Sequence, residues 1–157
     1  MIRPATSDDK AALMALAEET DMFTGDELEG LAGLLSEYFD GKLGEDHVWL
    51  VDDDGGLQGA AYYAPEVMAY GVWNLLFIGI PRAERRRGRG EALLRHVEQA
   101  LTERSERLLL VETSGLEAFE PARRFYRKNG FEEEARIREF YKAGDDKIVF
   151  RKALAKR

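Results

Sequence analysis

Between Arg82 and Arg95 lie six arginines and two glutamates, grouped around the run Arg85-Arg86-Arg87-Gly88-Arg89-Gly90-Glu91. An apolar run, Leu75 to Ile80, leads into it through Pro81. Residues of these types at this spacing can cradle a phosphate. Glycine lets backbone N–H groups approach an anion with no Cβ in the way. The first turn of a following helix adds orphan donors and the positive end of a dipole, and arginine adds a forked, permanently charged donor. The stretch carries a local +4 in a chain whose net charge is −7. That contrast points to one discrete anion, because a nucleic-acid surface needs a wider basic face.

Two common phosphate loops do not fit. A dinucleotide fingerprint needs a third small residue three positions after its second glycine, where this chain has Leu93, and a P-loop needs Gly-Lys-Ser/Thr. What stands is Arg-x-x-Gly-x-Gly, written here as Arg85, Gly88 and Gly90.

The elements that must hold this loop follow from periodicity. Ile2 to Ala5 reads as a strand, and Ser7 with Asp8 and Asp9 as the cap and acidic first turn of a helix to Glu19. A second helix runs from Asp26 to Phe39 with Leu28, Leu31, Leu34 and Leu35 on one stripe. Val48 to Val51 and Leu57 to Tyr63 form a hairpin around Asp52-Asp53-Asp54-Gly55-Gly56. Gly71 to Ile80 is the fourth strand, and Gly79 inside it marks a bulge or a close backbone approach to a ligand. Glu91 to Arg104 is a helix with Leu93, Leu94, Val97 and Leu101 on one face. Leu108 to Val111 is apolar throughout, as a buried parallel strand requires. Strand, helix and strand then form a right-handed crossover with the glycine loop at the top of the sheet. Pro121 opens a fourth helix that Gly130 closes. Ala135 to Tyr141 and Lys147 to Lys152 make a last hairpin.

A chain of 157 residues is long enough for one good core, so residues 1–157 are expected to be a single domain. No window has the apolar length of a membrane span and the start lacks a signal-peptide pattern, so the expected location is the cytoplasm, with no membrane partner. The absence of cysteine excludes a thiolate nucleophile, and two histidines, His47 and His96, make a metal site unexpected.

In order and spacing, three landmarks, Ile2-Arg3-Pro4-Ala5-Thr6, the Arg85–Gly90 loop and Phe125-Tyr126-Arg127-Lys128-Asn129-Gly130-Phe131, resemble the GCN5-related N-acetyltransferases (GNAT) across nearly the whole chain. The resemblance implies an α/β (α+β) fold: a mixed, mostly antiparallel sheet of about seven strands, the fourth and fifth parallel, with about four helices. It implies an acetyl-CoA-dependent N-acetyltransferase acting on a primary amine, and a homodimer is compatible with it. The cofactor site it implies comprises Phe77, Ile78, Gly79, Ile80, Arg85, Arg86, Arg87, Gly88, Arg89, Gly90, Glu91, Phe119 and Phe125, with no metal.

Acetyl transfer to an amine needs a base, because an alkylammonium of pKa ~10.4 is almost wholly protonated at neutral pH. It also needs an acid for the departing thiolate and a backbone N–H, expected from Ile78 to Ile80, for the carbonyl oxygen. By the resemblance the acid is Tyr126 and the base Glu112. With neither a cysteine nor a serine in a nucleophile motif, transfer is expected to be direct, within a ternary complex. Two positions depart from the family pattern: Asn74 stands where many members have a carboxylate, and Phe119 where many have an asparagine for the pantetheine arm. Met22 to Gly30 and Tyr62 to Trp73 are the expected acceptor walls, with Asp26, Glu27, Glu29 and Glu66 suited to a cationic amine. A non-catalytic acyl-CoA-binding module is the alternative. A nucleic-acid binder that extends the loop through Arg123, Arg124, Arg127 and Lys128 is the weakest reading, and no nucleic-acid partner is expected.

Overall fold

The computed structural model describes residues 1–155. Seven strands are present among them: β1 (Ile2–Pro4), β2 (Val48–Asp53), β3 (Leu57–Pro65), β4 (Val72–Gly79), β5 (Leu108–Ser114), β6 (Glu132–Lys142) and β7 (Asp145–Ala153). The four helices are α1 (Lys10–Glu19), α2 (Gly25–Phe39), α3 (Arg89–Glu103) and α4 (Glu120–Lys128). The sheet runs β1-β2-β3-β4-β5-β7-β6. Its β4–β5 pair is parallel, whereas β1–β2, β2–β3, β5–β7 and β6–β7 are antiparallel. This is the mixed sheet with one parallel pair that the resemblance implied, and it contains the strand–helix–strand crossover read from the apolar runs.

The chain gathers into two compact units. The first comprises Met1–Ala64 and Phe77–Val97. Its core joins Leu13 and Leu16 of α1, Leu35 of α2, Trp49 and Val51 of β2, Ala60 and Tyr62 of β3, and Phe77. Trp49 lies flat on Tyr62, centroids 4.6 Å apart. Arg3 ties β1 to the start of α1 through Asp9 at 2.8 Å and to β2 through Asp53 at 3.2 Å. The Arg3 hydrogen bond, the largest cause, holds the Asp9 carboxyl below the usual carboxylate range.

The cap of the first helix differs from the sequence expectation. Ser7–Asp9 is a 3-10 turn ahead of α1, capped by Thr6, and Asp9 rather than Ser7 is the cap of α1 itself. The Thr6 N–H donates to Asp9 Oδ2 at 2.7 Å, a bond that the Ser7 reading does not contain. α2 begins one residue earlier than predicted because Thr24 and Glu27 close a capping box, 2.9 and 3.2 Å.

The second unit comprises Pro65–Leu76 and the chain from Glu98 onward. β4 and β5 pair in register from Val72↔Leu108 to Leu75↔Val111, and β5 then continues along β7 to Ser114↔Lys147. Leu101, Leu109, Val111, Tyr126, Phe131, Ile148 and Phe150 are buried. β6 starts at Glu132, three residues before its predicted start. All eleven of its residues are exposed, so no burial alternation marks it, and its three leading glutamates have low strand propensity.

Candidate active site

The glycine loop belongs to the first unit. Pro81 leads from β4 into a 3-10 turn, Arg82–Glu84. The backbone then takes positive φ at Arg86 (64°) and again at Gly88 (78°). Such alternation turns successive N–H groups into an anion-binding concavity. A Cβ built on Gly88 would meet nothing within 4 Å, so the space beside this peptide is open to a ligand. α3 follows at once, and its ladder opens with Ala92 N–H to the Gly88 carbonyl at 3.0 Å. The N–H groups of Arg89 and Gly90 precede that ladder and carry the positive end of the helix dipole.

Five of the six arginines divide by role. Arg89 holds Asp52 and Asp54 at 3.0 Å each and Glu84 at 3.3 Å, and these hydrogen bonds, Asp54 first, raise its pKa further. Its guanidinium braces the β2–β3 hairpin against the loop, so what Arg89 offers a ligand is backbone. Arg82 bonds Asp21 at 3.0 Å, and Arg87 bonds Glu84 at 3.3 Å. Arg85 donates Nε–H to the Ile80 carbonyl at 3.1 Å, fastening the loop to the end of the strand. Arg86 has no partner among the described residues and is exposed. Among the described residues Arg86 is thus the loop arginine whose side chain has no protein partner, and Glu91 sits in the first turn of α3.

Phe77 and Gly79 have another reason for their types than contact with a cofactor. The Phe77 ring is buried in the core, 5.7 Å from Trp49 and 6.0 Å from Phe23. A Cβ on Gly79 would stand 2.7 Å from that ring. Glycine at this position is explained by internal packing.

The acid and base candidates belong to the second unit. Tyr126 is buried on α4, its ring 5.7 Å from those of Phe131 and Phe150 and 5.6 Å from that of Phe125, which is half-buried. Burial raises the Tyr126 phenol, keeping it protonated at neutral pH. Glu112 is exposed on β5, and its carboxylate lies 2.8 Å from Lys147 Nζ. Strand register puts the two on opposite faces. Val111↔Phe150 and Thr113↔Ile148 share the face Tyr126 covers, whereas Glu112↔Val149 has its side chain on the other.

On that second face the structure places a carboxylate whose pairing the sequence did not reveal. Asn74 registers with Leu110, hence on the Glu112 face, and donates Nδ2–H to Glu66 Oε2 at 2.9 Å. The Glu66 N–H bonds the Val72 carbonyl at 2.8 Å, so the turn from β3 to β4 delivers a carboxylate to the position where the strand itself carries an amide. Leu76 is exposed on β4, and the Lys147 ammonium sits 3.6 Å over the Phe140 ring.

The turn between β5 and α4 is tightly built. Arg123, read from sequence as part of an exposed basic face, is buried. It donates to the carbonyls of Ser114 at 2.6 Å and Leu116 at 2.9 Å and pairs with Glu120 at 2.9 Å. Arg127 is also paired, with Glu120 and Glu133. Ser114 Oγ accepts the Leu116 N–H and bonds Asp145. Phe119, half-buried, stands at the head of α4 without a side-chain cap bond. Arg123→Met is expected to lower unfolding free energy by ~2 kcal/mol, since one buried and one partly buried carbonyl lose a charged donor. Urea denaturation followed by circular dichroism checks this, and an unchanged midpoint would remove the clamp.

Comparison with known proteins accords with this geometry. Residues 44–133 match the model of the acetyltransferase (GNAT) domain. A solved GNAT-family protein from Desulfovibrio desulfuricans is 31% identical, with 99% of each chain covered and a TM-score of 0.92. The ribosomal-protein-alanine N-acetyltransferase of Brucella melitensis is 24% identical over 98% of this chain and 99% of its own, with a TM-score of 0.76. The PaiA N-acetyltransferase of Thermoplasma acidophilum, solved with coenzyme A, is 18% identical over 98% of both, with a TM-score of 0.75. No curated protein matches the sequence.

Proposed function

The chain belongs to the GNAT acetyltransferase family, and on that premise we propose that it moves an acetyl group from acetyl-CoA to a primary amine by direct attack. The observation that carries this is the loop from Arg85 to Gly90. Its positive-φ residues, its open side at Gly88 and the start of α3 directly behind it suit a pyrophosphate. The backbone of Ile78 to Ile80 would hold the pantetheine arm and polarise the thioester carbonyl.

Tyr126 serves as the acid. Burial keeps it protonated, so it can donate a hydrogen bond to the departing sulfur and stabilise the charge that builds there. Glu112 serves as the base, directly or through one water. Its carboxylate is paired with Lys147 at 2.8 Å, so the incoming amine competes with that ammonium for the same oxygens. The exposed carboxylates of Glu66 and Glu112 favour a cationic acceptor.

These roles separate kinetically. Thiol release from acetyl-CoA is measured against a panel of small polyamines, lysine peptides and peptides with free N-termini. With the best acceptor, Glu112→Gln is expected to lower kcat by about 10² at neutral pH and leave acetyl-CoA affinity unchanged. Glu66→Gln should instead raise the acceptor KM about fivefold. A Glu112→Gln enzyme of full kcat would move the base elsewhere, and binding of acetyl-CoA without thiol release for any amine would favour the sensing module.

A further inference from the structure

Lys147 is held as an ordinary surface cation is not. Its ammonium lies 2.8 Å from the Glu112 carboxylate and 3.6 Å over the face of the Phe140 ring. The Lys147 side chain is 14% exposed, whereas Glu112 and Phe140 are 41% and 50% exposed, so the cation is covered while the groups that receive it stay open to solvent. A carboxylate on one side and an aromatic face on the other make a seat for an alkylammonium.

The last hairpin is bent to build this seat. β6 loses its register with β7 between Ile137 and Lys142, and Glu139 there takes φ 55°, which residues other than glycine seldom adopt. The Glu139 N–H donates to Asp146 Oδ1 at 2.9 Å, and the Glu139 carboxylate accepts the Gly144 N–H at 3.1 Å. A bulge of this kind re-aims a side chain, and here it brings the Phe140 ring under Lys147. Tyr141 packs edge-on against that ring, centroids 5.1 Å apart. Lys147 enters from the neighbouring strand: it lies two residues from Val149, the register partner of Glu112, and so shares the Glu112 face.

We propose that the seat formed by Glu112 and Phe140 binds an alkylammonium from outside the chain, with Lys147 as its resting occupant, and that in the acetyl transfer proposed above this ligand is the acceptor. The acceptor role rests on that transfer; the seat does not. Lys147 presents its ammonium on a flexible four-carbon stem, so it can leave without movement of the backbone. An incoming amine must displace it, and its apparent affinity is the intrinsic affinity reduced by the fraction of molecules in which the seat is free. A neutral alcohol of the same length has no charge to offer the carboxylate or the ring.

The probe is n-propylammonium, which matches Lys147 beyond its Cβ. Its binding to the full chain, without acetyl-CoA, is followed by ligand-detected NMR, with circular dichroism as the folding control. Lys147→Ala is expected to bind it at least about tenfold more tightly than the wild type, and n-propanol to bind to neither. Adding Phe140→Leu to Lys147→Ala should remove most of the gain. Lys147→Gln, which keeps the stem and loses the charge, should shift affinity in the same direction and takes the place of Lys147→Ala if that variant does not fold. Equal affinities in folded variant and wild type overturn the proposal, as does a gain that survives Phe140→Leu. Thiol release with the best amine gives the second readout, and Lys147→Ala should lower the acceptor KM at least about fivefold. Tighter n-propylammonium binding with no thiol release for any amine would keep the seat and remove its acceptor role. Thiol release with acceptor KM and probe affinity both unchanged in Lys147→Ala would keep the transfer and remove the seat.

Discussion

Gly88→Val is expected to weaken acetyl-CoA binding about a hundredfold or more, measured by calorimetric titration. Two effects add. Gly88 sits at φ 78°, where a β-branched residue is strained by about 1–3 kcal/mol. The new side chain also fills the open space beside the loop's N–H groups, where the pyrophosphate is proposed to sit. Gly41→Val separates these effects. Gly41 follows α2 at φ 76° and is likewise open within 4 Å, so it carries a similar strain away from the loop. The account expects both variants to lose stability and only Gly88→Val to lose acetyl-CoA. Equal affinities would mean that the loop does not hold the phosphates.

Tyr126→Phe is expected to lower kcat by about 10² or more while binding of acetyl-CoA is unchanged. The ring contacts with Phe125, Phe131 and Phe150 remain in this variant, so the fold keeps its packing and only the proton donor is lost. Because burial raises the phenol in the wild type, Tyr126 remains an acid through neutral and mildly alkaline pH. Steady-state thiol release as a function of pH measures this. A Tyr126→Phe enzyme with wild-type kcat would make Tyr126 a packing residue.

What could be seen in the sequence was whatever periodicity and local chemistry encode. The apolar run of β5, the stripe of α3 and the Arg85–Gly90 loop are each contained in a few consecutive residues, and each was found near its place. What escaped depends on partners distant along the chain. Arg89 looked like a phosphate ligand because Asp52 and Asp54, 37 and 35 residues away, are invisible to a local reading. Arg123 looked solvent-facing because the carbonyls that bury it belong to the turn before the helix. Phe77 and Gly79 explain each other through packing, whereas a strand glycine alone suggests a ligand. Asn74 looked like a lost carboxylate until the turn brought Glu66 beside it. In each case a residue type suited to chemistry was assigned by tertiary contact to bracing, packing or pairing.

The account rests on the Arg85–Gly90 loop as the site of a CoA phosphate group. The most direct test is calorimetric titration of acetyl-CoA into the purified chain, with S-acetylpantetheine, which lacks the pyrophosphate, titrated in parallel. Saturable micromolar binding of acetyl-CoA, lost or much weakened for the form without the pyrophosphate, is the predicted result. No binding of either form, with the chain folded, would contradict the proposed acetyl transfer.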